Sequence, residues 1–597
     1  MSMDRYAGMG AIVGLEGVTF RVWAPNANQI YVYGSFNDWQ EDQYEMNHED
    51  KGYWSCRVSE AKEGDEYKYL IKTGEKTLHR NDPYALEVTH SEGNSVIKNL
   101  WKDWEDHNFR PSPLNELIVY ELHIGTFNKT EQSGSNGDFY SAAEKLDYLK
   151  NLGINAIEVM PVSEFPGDFS WGYNPSYPFA VETSYGGPDG LKHFVFEAHM
   201  RGIAVIMDVV YNHFGPGDLD IWQFDGWEEN GMGGIYFYND HRAKTPWGNT
   251  RPDYGRPEVI NYLRDNAMLW LEIYQCDGLR FDATAIIRLL DTEDTSNARA
   301  LEEGNRFLKN LNGEIQSKFP HKILIAEDLR MDPNVTAPLS EGGLGFDCQW
   351  GTGFSQELRD TLTQRDDTAR TLQGIERLLF DRFNGNAFEK VIFTESHDEV
   401  SNIRSTRLPE EIQPGDAEGE YAKKKSTLGA ITIFTAPGVP MIFQGQEFLS
   451  YEHFNDDLPL DWGREKRFEG IVRLYRDLIT LRKSNEATAR GLSGQEISML
   501  HKDDTSLVMA YSRFHGDDPN NPVLVVLNFG VETKVGYRIG VDVGGTWRVV
   551  FNSGWSGYDE VFAEVDLVDV RAEDGYQDKP YSIVVDIPSY GGLILAR

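Results

Sequence analysis

From about residue 115 to 485 the chain alternates short apolar runs with longer stretches of helical periodicity. The runs fall at 117–122, 156–160, 204–210, 278–282, 322–327, 345–350, 391–395 and 439–444. They are rich in β-branched and aromatic residues and show little polar alternation, which is the pattern of strands buried on both faces. Helix-like segments lie between them, for example 140–152, 259–274 and 307–318. Eight such strands alternating with helices predict a closed (β/α)8 TIM barrel rather than an open sheet. The flanks differ. Residues 1–105 carry alternating strands at 18–23, 29–33 and 66–71, separated by turn clusters such as Ala24-Pro25-Asn26 and Asn81-Asp82-Pro83. Residues 490–597 return to strand patterns at 506–511, 522–527 and 592–595. The expected fold class is therefore α/β, with a barrel over 115–485 flanked by an N-terminal β-sandwich over 1–105 and a C-terminal β-sandwich over 490–597.

Three of the barrel runs end in a carboxylate: Gly278-Leu279-Arg280-Phe281-Asp282, Ile323-Leu324-Ile325-Ala326-Glu327, and Val391-Ile392-Phe393-Thr394-Glu395-Ser396-His397-Asp398. Acids at the C-terminal ends of barrel strands converge on one pocket, and paired acids are the equipment for breaking glycosidic bonds. Arg280 and Asp282 are two residues apart and share a strand face. A cation there would keep Asp282 ionised, as a nucleophile must be. A purely structural ion pair would read the same way. Glu327 closes an almost wholly apolar strand. Burial there would raise its pKa, as a proton donor requires, although a helix-capping glutamate fits equally well. Asp208 and His213 form a further polar cluster in Ile206-Met207-Asp208-Val209-Val210-Tyr211-Asn212-His213. Trp171-Gly172-Tyr173 follows the second run and offers a ring beside the acids. The long insert after Val210, rich in Gly, Asp and aromatics, reads as an active-site loop.

Charge narrows the partners. Lys+Arg 57 against Asp+Glu 95 gives a net charge of -38, which argues against nucleic acid or an anionic membrane and suits a neutral substrate. The three cysteines, Cys56, Cys276 and Cys348, are far apart, so neither a disulfide framework nor a zinc site is indicated. No apolar span reaches membrane length and the N-terminus lacks a signal-peptide pattern, so cytoplasmic residence is expected. Aromatic residues are dense near the start (Trp23, Tyr33, Trp39, Trp54). Such rings can stack on sugars, but most are expected to fill a small core.

On these segments the chain resembles the α-amylase superfamily, glycoside hydrolase family 13. Asp208 to His213, Gly278 to Asp282, Ala326-Glu327-Asp328 and Ser396-His397-Asp398 are similar to its four conserved regions, in order and in strand context. The resemblance implies Asp282 as nucleophile, Glu327 as acid/base and Asp398 as transition-state stabiliser. It also implies substrate contacts from Tyr173, Asp208, His213, Arg280 and His397. Gly34-Ser35-Phe36-Asn37-Asp38-Trp39 is similar to the starch-binding-type module of branching and debranching enzymes. Ser396-His397-Asp398-Glu399-Val400 and Phe443-Gln444-Gly445-Gln446-Glu447-Phe448 resemble the 1,4-α-glucan branching enzymes. Tyr211-Asn212-His213-Phe214-Gly215-Pro216 resembles instead the maltooligosyl-trehalose trehalohydrolases and debranching enzymes, and Glu327-Asp328 departs from the usual double Glu of branching enzymes. The expectation is a retaining enzyme acting on glycogen, starch or maltooligosaccharide, of the branching type. A hydrolase of the amylase or trehalohydrolase type is the alternative, and a non-catalytic glucan-binding protein a third reading that the presence of all three acids disfavours. No metal in the site and no required cofactor are expected. Calcium near the first region, with Asn212 as a ligand, is left open by the resemblance, and the sequence does not reveal the oligomeric state.

Overall fold

The computed structural model describes residues 8–100, 109–290, 298–401, 406–483, 488–562, 565 and 569–597. Eight parallel strands close into a barrel. In chain order they are Val119–Leu122, Ala156–Val159, Ala204–Val209, Gly278–Phe281, Ile323–Ala326, Cys348–Trp350, Lys390–Ile392 and Val439–Phe443. Closure is made by the first strand pairing with the eighth, with Val119 opposite Met441. Each strand lies within or overlaps a run expected from the sequence, usually trimmed by a residue or two, because acids and turn residues at the ends leave the ladder.

Alternation along the strands divides the barrel into two packings. Val119, Ala156, Ile206, Ile325, Trp350, Val391 and Met441 belong to one buried cluster drawn from every strand but the fourth. Their alternate neighbours, such as Tyr120, Ile157, Val205, Leu279, Leu324 and Ile442, join the main core with the surrounding helices. Where the fourth strand passes the fifth, a Cβ on Gly278 would lie 2.4 Å from the Ile323 carbonyl oxygen, so only glycine permits that approach. The expected helix 140–152 is two helices, Phe139–Ala143 and Leu146–Leu152, with Asp138 capping the first. The expected helix 259–274 is an α-helix, Pro257–Met268, that continues as a π-helical turn, Leu269–Ile273. The third, Glu302–Lys318, begins before its apolar stripe because Glu302 and Glu303 suit a helix N-terminus.

The N-terminal flank has two sheets, one built on Gly17–Trp23 and Tyr53–Val58, the other on Gln29–Gly34 and Glu66–Thr73. They face each other through Phe20 and Tyr67, whose ring centroids are 5.0 Å apart. Trp23, Tyr33 and Trp54 are buried, whereas Trp39 is exposed. The C-terminal flank is a six-stranded sheet with a two-stranded partner, Lys534–Val541 paired to Tyr581–Ile587. Val508, Leu524, Ile539, Trp547, Ile583 and Leu595 form its core. The insert after the third strand does more than border a pocket. Its buried Asp225 accepts hydrogen bonds from the backbone and side chain of Asn26 at 2.9 Å each. Arg80 donates to the carbonyls of Trp222, Gln223 and Phe224. These contacts seat the N-terminal sheets on the barrel. Among the described residues no helix is long and apolar enough to cross a membrane.

Candidate active site

The inward positions of the barrel change from apolar to charged at the strands' C-terminal ends. Asp208 and Arg280 are register partners on the third and fourth strands, so their side chains emerge side by side. Arg280 is buried at 1% exposure and its guanidinium touches three carboxylates. Nη1 donates to Asp208 Oδ2 at 2.7 Å and to Asp282 Oδ1 at 3.1 Å, and Nη2 donates to Glu327 Oε2 at 3.0 Å. The charge of Asp282 in turn bears on the Glu327 carboxyl. Trp350 on the sixth strand lies 4.3 Å from the guanidinium, covering its face.

Two further groups hold the acids. Asn212 Nδ2 donates to Asp282 Oδ2 at 2.6 Å and to the Asp282 carbonyl at 2.9 Å. The backbone N–H of Ala283 donates to Glu327 Oε2 at 3.0 Å. Ala283 reaches that position through a left-handed conformation, φ 41° and ψ 53°, rare for a residue with a side chain.

Burial sets the electrostatics. It raises the Glu327 carboxyl to about 7; Arg280 opposes this, and Asp282 and Asp398 add to it. It raises Asp282 too, with Arg280 opposing. Desolvation in the closed site thus outweighs the shared cation in direction, while Arg280 still favours the ionised form of Asp282. Asp208 is raised to about 6 by burial, against the pull of Arg280. Two carboxyls on one guanidinium, one of them titrating near neutrality, can hold a proton on one member while the other stays anionic.

Asp398 follows the seventh strand and lies close enough to raise the Glu327 carboxyl by its charge. It borders a cavity of about 290 Å³ together with Trp350 and Ser396. Its neighbour His397 is buried, and burial pushes its pKa down, yet Glu121 and Asp398 carry it up to about 9. The ring is therefore cationic at neutral pH, with Nδ1 donating to Glu121 Oε1 and the backbone N–H to Glu121 Oε2. Tyr173 stacks on the His397 ring at 5.0 Å between centroids and donates from its hydroxyl to Asp208 Oδ2 at 2.6 Å. His213 is pushed down to about 4 by burial, so it is neutral. Its Nδ1 pairs with Asn212 Oδ1, and its ring stacks on the half-exposed Trp247 at 4.5 Å.

All eight residues singled out from the sequence thus meet at one barrel end, linked through Arg280, Asn212 and His397. Glu395 does not. It is turned to Arg407 and the Leu408 N–H, where it holds the following segment. Asn212 spends its amide nitrogen on Asp282 and its oxygen on His213. Its donor set does not fit a calcium ion, and no group of three or more His, Cys, Asp and Glu positioned for a metal occurs among the described residues. Sequence reading missed Glu121, Glu158 and Trp350. Glu121 and Glu158 sit on the inward parity of Val119 and Ala156, and a lone acid inside an apolar run was the available signal. Asp328, the departure from double Glu, accepts from Arg288 at 2.7 and 3.0 Å, from the Thr284 hydroxyl at 3.0 Å and from the Arg330 N–H at 3.1 Å.

Known proteins resemble the chain along its whole length. The family model described as carbohydrate-binding module 48 (isoamylase N-terminal domain) matches residues 8–85. The alpha amylase catalytic domain matches 122–223 and 219–457, and the alpha amylase C-terminal all-beta domain matches 500–597. A protein of Oceanobacillus iheyensis named 1,4-alpha-glucan branching enzyme is 32% identical over 566 residues, covering 90% of this chain and 86% of its own. One of the same name from Halothermothrix orenii is 32% identical over 614 residues, covering 96% and 93%. Among solved structures, a putative alpha amylase of Salmonella typhimurium superposes with TM-score 0.72 at 21% identity over 99% of both chains. A pullulanase of Paenibacillus barengoltzii gives 0.75 at 21% over 100% and 94%. At that identity the structures speak for the fold alone. With the catalytic-domain match spanning more than half of the chain and such relatives along nearly their full length, the chain belongs to the alpha-amylase family and carries its catalytic domain.

Proposed function

We propose that this protein is a 1,4-α-glucan branching enzyme working by double displacement. The observation that carries the chemistry is that one buried guanidinium bonds both Asp282 and Glu327, through Nη1 and Nη2, with Glu327 poised near neutrality. Such closeness suits the retaining mechanism, since an inverting pair is held apart to admit a water. Asp282 attacks the anomeric carbon as Glu327 passes its proton to the leaving glycosidic oxygen, and that C–O bond breaks. A glucosyl ester of Asp282 remains. Glu327, now anionic, takes the proton of an acceptor hydroxyl whose oxygen attacks the same carbon and releases Asp282. With a glucan C6 hydroxyl as acceptor the product is an α-1,6 branch. A group titrating near 7 can give a proton in the first step and take one in the second.

In this reading Asp398 holds hydroxyls of the reacting sugar and favours its distortion. Cationic His397, Arg280, Asp208, His213 and Tyr173 bind and orient that sugar. Residues 1–105 act as a glucan-binding module, 115–485 as the catalytic unit and 490–597 as its support. The branching product rests on the similarity to relatives of that name. All three cysteines are free, which supports residence in a reducing compartment, and we read it as the cytoplasm. The test is incubation with amylose followed by proton NMR. New α-1,6 linkages are expected. Reducing sugar without new branches would refute transfer and favour hydrolysis, and free trehalose from maltooligosyl-trehalose would select the trehalohydrolase type.

A further inference from the structure

The loop that presents Tyr173 is closed at its base by two glutamates that the mechanism does not use. Ser163–Glu164 and Tyr177–Val181 form a short antiparallel hairpin, and residues 165–176 between them carry Trp171-Gly172-Tyr173. Glu164 and Glu182 are each 2% exposed, and each holds the backbone just beyond the other. Glu164 Oε2 accepts from the Thr183 N–H at 2.9 Å. Glu182 Oε2 accepts from the Phe165 N–H at 3.3 Å, and its Oε1 from the Ser184 N–H at 2.9 Å. The charges that bear on the pair are acidic: Glu182 acts on Glu164, and Asp168 acts on both. Tyr177 and Tyr185 face Glu164 and Glu182 respectively. Tyr185 also faces Asp456, and its hydroxyl meets Nε2 of His123, which burial keeps neutral, at 2.9 Å. On the side of the N-terminal sheets, Lys98 pairs with Glu87 and Asp189 at 3.1 and 2.6 Å.

The Thr183 hydroxyl locates a proton in this pair. Its oxygen lies 2.9 Å from the Val88 carbonyl oxygen and 3.0 Å from Glu164 Oε2. A hydroxyl has one hydrogen, and a carbonyl only accepts. With that hydrogen on Val88, the contact with Glu164 is a hydrogen bond when the carboxyl is the donor. Glu182 uses both oxygens as acceptors, so it is the anion of the two. Burial raises both carboxyls, and the charge of Glu182 raises Glu164 further, which agrees with one proton held between them. We propose that the pair is a proton-held latch on the Tyr173 loop, closed while Glu164 carries its proton and released when both carboxyls are ionised. When the proton leaves to solvent, the Thr183 hydroxyl can serve Glu164 or Val88 but not both, and two anions face each other in a buried site. The hairpin base then loosens from the N-terminal sheets, to which Val88 belongs, and Tyr173 loses its fixed place. The latch stands on the fold; its bearing on sugar rests on the role proposed above for Tyr173.

Amide hydrogen exchange over residues 160–187, corrected for the intrinsic pH dependence of exchange, reads the opening directly. A carboxyl that keeps its proton in the closed loop and gives it up in the open one makes opening about tenfold easier per pH unit, until the closed form itself ionises near 8. Wild type is therefore expected to lose protection about tenfold between pH 7 and 8. Glu164→Gln has the same shape and never becomes an anion, and is expected to lose less than about threefold over that interval. Circular dichroism checks folding. Should Glu164→Gln not fold, Glu182→Gln carries the test: it removes the like charge, lowers the pH at which Glu164 ionises, and is expected to flatten the same interval. Wild-type protection that does not fall with pH, or a folded variant that falls as steeply as wild type, overturns the latch. Maltohexaose added to Asp282→Asn, which binds without turnover, is expected to restore protection several-fold at pH 8. No response to the sugar, with the pH dependence intact, overturns the reading of Tyr173 and not the latch.

Discussion

Replacing Glu327 by glutamine should stabilise the protein at alkaline pH while stopping turnover. The carboxyl is 5% exposed, and its pKa rises from the ordinary 4.5 to about 7. A raised acid binds its proton more tightly folded than unfolded. Its contribution to stability is therefore fully present below about 4.5 and is lost as pH rises through about 7. At ~1.4 kcal/mol per tenfold change in proton affinity, keeping Glu327 ionised costs about 3 kcal/mol above pH 7. The amide introduced by Glu327→Gln has the same shape and no charge, so the variant escapes that cost. It also relieves Asp282 of a neighbouring anion. Calorimetric melting of both proteins from pH 4.5 to 8.5 measures the effect. The curves should coincide at the acid end, and the variant should melt progressively higher as pH rises, while its turnover on amylose falls by on the order of 10³-fold or more for lack of a proton donor. A variant melting at or below wild type at pH 8.5, or an advantage independent of pH, would refute the argument that desolvation governs this site.

Asp282→Asn should fold normally by circular dichroism and lose turnover by on the order of 10⁴-fold, since no ester can form; wild-type-like activity would overturn its assignment as nucleophile. The pH profile of kcat/KM should fall on the alkaline side near 7, where Glu327 loses its proton. Its acid limb should lie above the ordinary carboxylate range, because burial raises Asp282; a flat profile from pH 5 to 9 would contradict both. Glu121→Gln should bring His397 down from about 9 to near or below the ordinary ~6.5, visible by NMR of the ring, and should weaken sugar binding at neutral pH. A titration still near 9 would mean that Glu121 does not hold the charge.

The barrel was legible in the sequence because parallel strands covered by helices leave no polar face, so each strand appears as an apolar run. The acids were legible because three such runs end in one, and strand ends of a barrel converge even where each acid alone has a structural explanation. What stayed hidden was contact between distant segments. Glu121 and His397 are 276 residues apart, and Asp225 and Asn26 are 199 apart. No local pattern marks either pair, although parity along the first two strands exposes Glu121 and Glu158 once the barrel is drawn. The break between the helices Phe139–Ala143 and Leu146–Leu152 left the apolar spacing intact, so periodicity ran straight through it. The dense aromatic residues of the N-terminal sheets behave as expected: Trp23, Tyr33 and Trp54 pack inward, while Trp39 is exposed.

The turn at Ala283 joins backbone strain to the electrostatics of the site. A left-handed alanine costs roughly 1–2 kcal/mol, and nothing in Asp282-Ala283-Thr284 announces it. The turn is held from three sides. Asp282 N–H donates to the Val209 carbonyl at 3.0 Å, and Thr284 N–H and Oγ1 donate to the Glu327 carbonyl at 2.9 and 3.0 Å. The strained residue in turn directs its N–H onto Glu327 Oε2, where it favours the charged carboxyl against burial. Arg280 acts in the same sense from the opposite side. Without these two donors burial would drive Glu327 well above neutrality, and a carboxyl that basic would keep its proton rather than pass it to the leaving oxygen. The strain at Ala283 is therefore best understood as part of what holds one buried carboxyl where both halves of a double displacement can use it.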